Sequence, residues 1–193
     1  LELKPRKNYL DRPSIANIDA CLIITSVKSP NLDLNLLDKL LCVIIHNKIK
    51  PIICFTKIDL LNRNEKKEIK KLIKYYQKIG IQTFSNKEVR KITKSIANQI
   101  IVLTGQTGAG KSTLLNLIKR TFRYNMVVLA PTGVASVLVG GQTIHSFFKF
   151  PPGWISQKDY RPLSKSMADK IDLIVIDEIS MVRADLLDQM DQL

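Results

Sequence analysis

Cysteine, histidine and long apolar runs are all scarce in this 193-residue sequence. The three cysteines, Cys21, Cys42 and Cys54, are odd in number and widely spaced within apolar runs. That argues against a disulfide scaffold and for free core thiols in a reducing compartment. With two histidines and no close cysteine pair, the chain has little from which to build a zinc-type site. No stretch approaches the roughly 18 consecutive apolar residues of a membrane span, and no secretory signal opens the sequence. A cytoplasmic protein with no membrane partner is expected. Acidic residues are also few, 17 against 30 Lys and Arg, for a net charge of +13.

What is present is ordinary for a globular chain: 45% apolar and 24% charged residues, which excludes collagen and disorder. The length suffices for one good-sized domain or two small ones with a buried core. The charge is uneven. Residues 1–100 carry 20 Lys and Arg against 9 Asp and Glu, a net +11, leaving +2 for residues 101–193. Two readings stand: a polyanion-binding surface on the first half, or lysine spent freely on solvated faces. The chain opens on Leu1 rather than methionine and stops at Leu193 inside a helical pattern, as a piece of a longer protein would.

Short Ile-, Val- and Leu-rich runs at 20–27, 51–56, 81–84, 100–104, 126–130 and 171–177 are apolar on both faces, as strands of a covered parallel sheet are. Helical stripes lie between them. Leu34, Leu37, Leu41, Ile44 and Ile45 mark one stripe. Ile69, Leu72, Ile73, Tyr76 and Ile79 mark another, with Asn64 as its expected cap and Gly80 as its stop. The far face of the second holds Lys67, Lys70, Lys71, Lys74 and Lys78. This alternation predicts an α/β fold: a three-layer αβα arrangement on one mostly parallel, doubly wound sheet of about six strands. Residues 147–153, with Pro151 and Pro152, read as a loop.

The sharpest motif is Gly105-Gln106-Thr107-Gly108-Ala109-Gly110-Lys111-Ser112, between the strand at 100–104 and a helix opening near Thr113. This is G-x4-G-K-[ST] in its strand–loop–helix setting, and it marks a P-loop nucleoside triphosphatase. Glycines let successive N–H groups converge on phosphate, and the helix N-terminus adds its positive end. Lys111 is expected on the β- and γ-phosphates and the Ser112 hydroxyl on Mg²⁺. A second acidic site ends the strand at 171–176. There Asp177 suits a Mg²⁺ ligand and Glu178 a base for the attacking water.

From residue 6 to about 118 the chain resembles the circularly permuted RsgA-type GTPases of small-subunit ribosome biogenesis. The matching residues are Arg12-Pro13-Ser14-Ile15-Ala16-Asn17-Ile18-Asp19, then Thr56-Lys57-Ile58-Asp59, then the segment 105–116. In that family the guanine-reading [NT]-K-x-D precedes the P-loop, as it does here. The resemblance implies that Asp59 accepts from the guanine N1–H and exocyclic amine, a pattern adenine lacks. It also implies that Lys57 packs its stem over the base and that Phe84-Ser85-Asn86-Lys87 supplies a second base-contacting loop.

From about residue 120 the resemblance is to the first motor lobe of Pif/RecD-type DNA helicases. It rests on 127–136 (VVLAPTGVAS), 140–152 (GGQTIHSFFKFPP) and 172–187 (DLIVIDEISMVRADLL). It implies single-strand contacts at Thr132, Gly133, His145 and Phe147, and a Walker B role for Asp177 and Glu178. Core packing is the other reading for Phe147, Phe148 and Phe150. Each resemblance departs from its family. Ser180 stands where a GTPase D-x-x-G would have its glycine, and the polar sensor strand and arginine finger of the helicases are absent from the sequence.

The expectation is a chimera, 1–118 GTPase-like and 119–193 helicase-like, joined through one P-loop into one domain, with the Walker B strand beside the P-loop strand. Its expected ligands are Mg²⁺ with GTP or ATP, GTP favoured; turnover is expected to be slow without a sensor or arginine finger, and no strand separation is expected. Ribosomal RNA, the ribosome or single-stranded nucleic acid are the expected partners. A nucleic-acid-binding module with nucleotide as a structural ligand, and a hybrid whose halves do not share one sheet, are the competing readings.

Overall fold

The computed structural model describes residues 7–11, 14–97, 99–121, 125–153, 163–183, 186–187 and 190. Arg6, Arg12 and Pro13 of the GTPase-like segment, and Ala184 and Asp185 of the helicase-like one, lie outside them. The chain divides into two compact units, Leu1–Thr121 and Phe122–Leu193.

The first unit opens with a short antiparallel hairpin, β1 (Tyr9–Asp11) and β2 (Ser14–Ala16). A four-stranded parallel sheet follows: β3 (Ala20–Ser26), β4 (Lys50–Thr56), β5 (Gln82–Ser85) and β6 (Ile101–Thr104), in the order β5-β4-β3-β6. Helices α1 (Leu34–His46), α2 (Arg63–Lys78) and α3 (Val89–Ile96) connect the strands, and α4 (Lys111–Thr121) follows the last. Residues 20–24 and 52–55 are almost wholly buried, which is why both strands read as unbroken apolar runs. Between them Cys21 and Cys54 are core residues whose thiols burial pushes up to about 12. Cys42 departs from the core expectation. It falls on the outer face of α1, while Leu37, Leu41 and Ile44 point inward.

The cap of α2 is Asn62, two residues before the expected Asn64. Its Oδ1 accepts from the N–H groups of Asn64 and Glu65, and Glu65 returns a hydrogen bond from the Asn62 N–H, a reciprocal box that a cap at Asn64 would lack. Gly80 ends the helix at φ +88, with Ile81 N–H donating to the Tyr76 carbonyl.

In the second unit β7 (Met126–Ala130) lies between β8 (Gln142–Thr143) and β9 (Leu173–Ile176), all parallel. The helices are α5 (Gly133–Leu138), α6 (Ile144–Phe148) and α7 (Lys165–Ala168). The start of the expected 147–153 loop is therefore helical: Thr143 caps α6 by accepting from the Ser146 N–H. Phe147, Phe148 and Phe150 form the core with Leu129, Ile144 and Leu186. Their rings meet at 4.9 Å edge-on and 5.4 Å stacked.

The class is α/β, with mostly parallel sheets flanked by helices. Among the described residues, four of the six expected strands pair with one another in the first unit, and the other two pair in the second, where the unexpected β8 joins them. Among the described residues, β6 pairs with β3 and β9 pairs with β7.

Candidate nucleotide site

In the first unit the strand order reverses at β3. The chain moves outward through β4 and β5, then returns to place β6 on the other side of β3. Loops leaving the carboxyl ends of β3 and β6 therefore flank the crevice where open α/β sheets take ligands. The P-loop fills one flank. Gly105 (φ +146) lies so close to β3 that a Cβ there would stand 2.0 Å from the Ile24 carbonyl oxygen, which no side chain survives. Gly108 and Gly110 turn the loop at φ +75 and +95, and Ala109 between them is fully buried.

The Lys111 Nζ donates to the carbonyls of Gly105 and Gln106 at 2.8 and 2.9 Å, so the ammonium is held over the loop. Thr107 and Gly108 are exposed at the loop's crest, and Ser112 and Thr113 are exposed in the first turn of α4. The first N–H groups of an α-helix have no intrahelical partner, so that turn presents donors toward an anion.

The segment Thr56–Asp59 sits against this loop. Thr56 is buried at the end of β4, and its hydroxyl donates to the Ala109 carbonyl at 2.5 Å. Lys57 adopts φ +60 and donates from Nζ to the Ser29 carbonyl, in the loop that leaves β3. Pro30 of the same loop lies 3.8 Å from where a Gly108 Cβ would be. Asp59 is exposed on the single 3-10 turn Ile58–Leu60. One strand over, β5 pairs Phe55 with Ser85, so Asn86 continues beside Thr56, and its N–H donates to the Phe55 carbonyl. The Asn86 Oδ1 is buried with no hydrogen-bond partner.

Glu88 fixes this last loop by accepting from the Ser85 N–H and hydroxyl and from Lys91. Burial alone would raise its carboxyl, but these hydrogen bonds outweigh it and hold the group below its ordinary range. Ser29, Pro30 and Glu88 were not among the sequence candidates. Their only signal was position, just after strands whose neighbours carry motifs.

In the second unit Asp177 follows β9 directly, and its N–H donates to the Leu129 carbonyl at 2.9 Å. Glu178 is exposed at φ +50, opening the 3-10 turn Ile179–Met181. Thr132 caps α5 by accepting from the Ala135 N–H, leaving Thr132 and Gly133 on the surface. His145 is half-buried in α6. Phe147 is a core residue, so the strand-contact reading for it is corrected: its ring already packs within the unit's own core.

Comparison with known proteins gives the same two-part picture. The RsgA GTPase model matches residues 3–129 and the PIF1-like helicase model residues 82–193. The chain belongs to both families. The two matches overlap at residues 82–129, which include the P-loop. The small ribosomal subunit biogenesis GTPase RsgA of Limosilactobacillus fermentum is 41% identical over 122 residues, 60% of this chain and 41% of that protein. The solved structure of YloQ, a circularly permuted GTPase, aligns with 63% of the chain and 44% of its own at 34% identity, with a TM-score of 0.55. Bacteroides Pif1 bound to single-stranded DNA is 40% identical over 54% of the chain and 26% of its own, with a TM-score of 0.46. The chain thus spans about two fifths of the curated RsgA relatives it matches.

Proposed function

We propose that this RsgA- and PIF1-related chain binds a Mg²⁺–nucleoside triphosphate at residues 105–113 and hydrolyses it slowly, with GTP preferred. The observation that supports the site most is the Thr56–Ala109 hydrogen bond, because it ties the T-K-x-D segment to the phosphate loop. Lys111 takes the β- and γ-phosphates, the Lys57 stem flanks the base, and Asp59 accepts from the guanine N1–H and amine.

The donor set fits a hard cation. The Ser112 hydroxyl in the first unit is an oxygen donor of the kind Mg²⁺ takes, since that ion keeps most of its waters and uses one or two protein ligands plus phosphate; the Asp177 carboxylate, in the second unit, is a donor of the same kind. When bound, the ion supplies charge neutralisation at the phosphates. Glu178 orients and deprotonates the attacking water. The left-handed backbone at Glu178 is a conformation that non-glycine residues hold mainly where surrounding structure demands it.

Slow turnover follows from Ser180 in place of the γ-phosphate-sensing glycine. The small ribosomal subunit is the proposed larger partner, from the RsgA side. Among the described residues no helix is long and apolar enough to cross a membrane.

Phosphate release with GTP, on the intact chain and on Lys111→Ala and Glu178→Gln, tests the assignment. Lys111→Ala is expected to abolish nucleotide binding. Glu178→Gln is expected to keep binding while slowing turnover about a hundredfold or more. Unchanged turnover in Glu178→Gln would remove Glu178 from the chemistry.

A further inference from the structure

Helix α2 carries a charge distribution that its own stability does not call for. At about 100° per residue, Arg63, Lys67, Lys70, Lys71, Lys74 and Lys78 fall within roughly one third of the helix circumference, along about 22 Å of axis. The spacings Lys67–Lys71, Lys70–Lys74 and Lys74–Lys78 are i,i+4 pairs of like charge, each unfavourable to the helix. Arg63 and Lys67 also lie near the N-terminus, where the macrodipole disfavours cations.

Of this face, the two acids of the helix relieve only Lys71. Glu65 is engaged in the capping box and Glu68 pairs with Lys71 at 3.0 Å. Among the described residues, no carboxylate lies within ion-pair distance of Lys67, Lys70, Lys74 or Lys78, and all four are exposed.

An aromatic ring borders the stripe. Tyr75 follows Lys74 and neighbours Lys71 and Lys78 on the helix surface, yet it is 58% exposed. It is held edge-on at 5.5 Å by the buried Tyr76, whose hydroxyl donates to Asp38. A flat ring fixed beside a row of cations fits a strand with phosphates on one side and unpaired bases on the other. A helix that lies within a membrane interface would insert an apolar face. In α2 that face is already occupied: Ile69, Leu72 and Ile73 are half-buried and Tyr76 is buried within the unit.

We infer that the lysine face of α2, with Tyr75 at its edge, is a binding surface for single-stranded nucleic acid, separate from the nucleotide site. Lys67, Lys70, Lys71, Lys74 and Lys78 contact the backbone phosphates, and a base stacks on Tyr75.

The test is fluorescence anisotropy of labelled oligouridylate and oligothymidylate against the whole chain over a salt series. Vesicles containing phosphatidylserine and a hairpin duplex serve as competitors. Three variants are compared: Lys67→Gln, Lys70→Gln, Lys74→Gln and Lys78→Gln together; Tyr75→Ala; and a charge-matched control with Lys39→Gln, Lys48→Gln, Lys50→Gln and Lys94→Gln together. Circular dichroism melts confirm that each folds.

The α2 quadruple variant is expected to flatten the slope of log affinity against log salt by about 3, since each phosphate contact on a single strand contributes about 0.7. The control should leave that slope nearly unchanged. Tyr75→Ala should weaken binding about fivefold or more at an unchanged slope. Equal effects of the two quadruple variants would reduce the surface to net charge and overturn the inference. So would lysine-dependent vesicle binding without oligonucleotide binding, or a duplex preference indifferent to Tyr75.

Discussion

Thr56 shows how much one hydroxyl can organise. At the buried end of β4 it reaches the carbonyl of Ala109, 53 positions later, and so fixes the T-K-x-D segment against the P-loop. Asp19 acts similarly below the site. It accepts from Lys7 and from the Ile100 N–H, joining the start of β3 to the start of β6. The Lys7 hydrogen bond, then the Ile100 one, hold its carboxyl below the ordinary value near 3.8. A group whose folded value is depressed contributes stability above its unfolded value and loses it as pH falls through the folded one. Thermal melts from neutral pH to about pH 3 should therefore show the Leu1–Thr121 unit weakening below about pH 4. Asp19→Asn should be less stable at neutral pH and converge on the parent chain in acid. An identical gap at every pH would mean that the carboxylate charge is not what matters.

At the scale of elements, α2 depends on its ends more than on its middle, whose lysines repel one another. Asn62→Ala removes the capping box and should cost about 1 kcal/mol of stability in the first unit, read as a lower urea midpoint at unchanged slope. Asn64→Ala, at the position that the sequence suggested, should cost far less. That slip of two residues has a plain cause. Asn62 and Asn64 are chemically alike, and only the placement of Glu65 three residues after Asn62 decides between them.

The elements most legible in the sequence were those with strong patterns: the apolar strands, the two long amphipathic helices, and the P-loop between a strand and a helix. The β1–β2 hairpin and the two-residue β8 are too short for any periodicity to show. In α6, Phe147 and Phe148 resemble a loop next to two prolines, and it is tertiary burial that makes them core. At the site itself the motif residues could be read directly. The Lys57 contact with Ser29 could not, because it spans 28 positions and leaves no local trace.

At the scale of the molecule, two family matches overlap at residues 82–129, and the structure separates the chain near the end of that overlap, after Thr121. The P-loop and T-K-x-D segment lie in the first unit, and Asp177 and Glu178 in the second. The account therefore makes base selection a property of the RsgA-like unit. Its central claim is that the residues preceding the P-loop choose the nucleotide.

Thermal stabilisation by Mg²⁺–GTP and by Mg²⁺–ATP, measured side by side on the chain and on Asp59→Ala, tests that claim most directly. The account predicts a larger shift with GTP, lost to parity with ATP in Asp59→Ala. An equal or ATP-biased shift that ignores Asp59 would contradict it and assign nucleotide choice to the PIF1-like part of the chain.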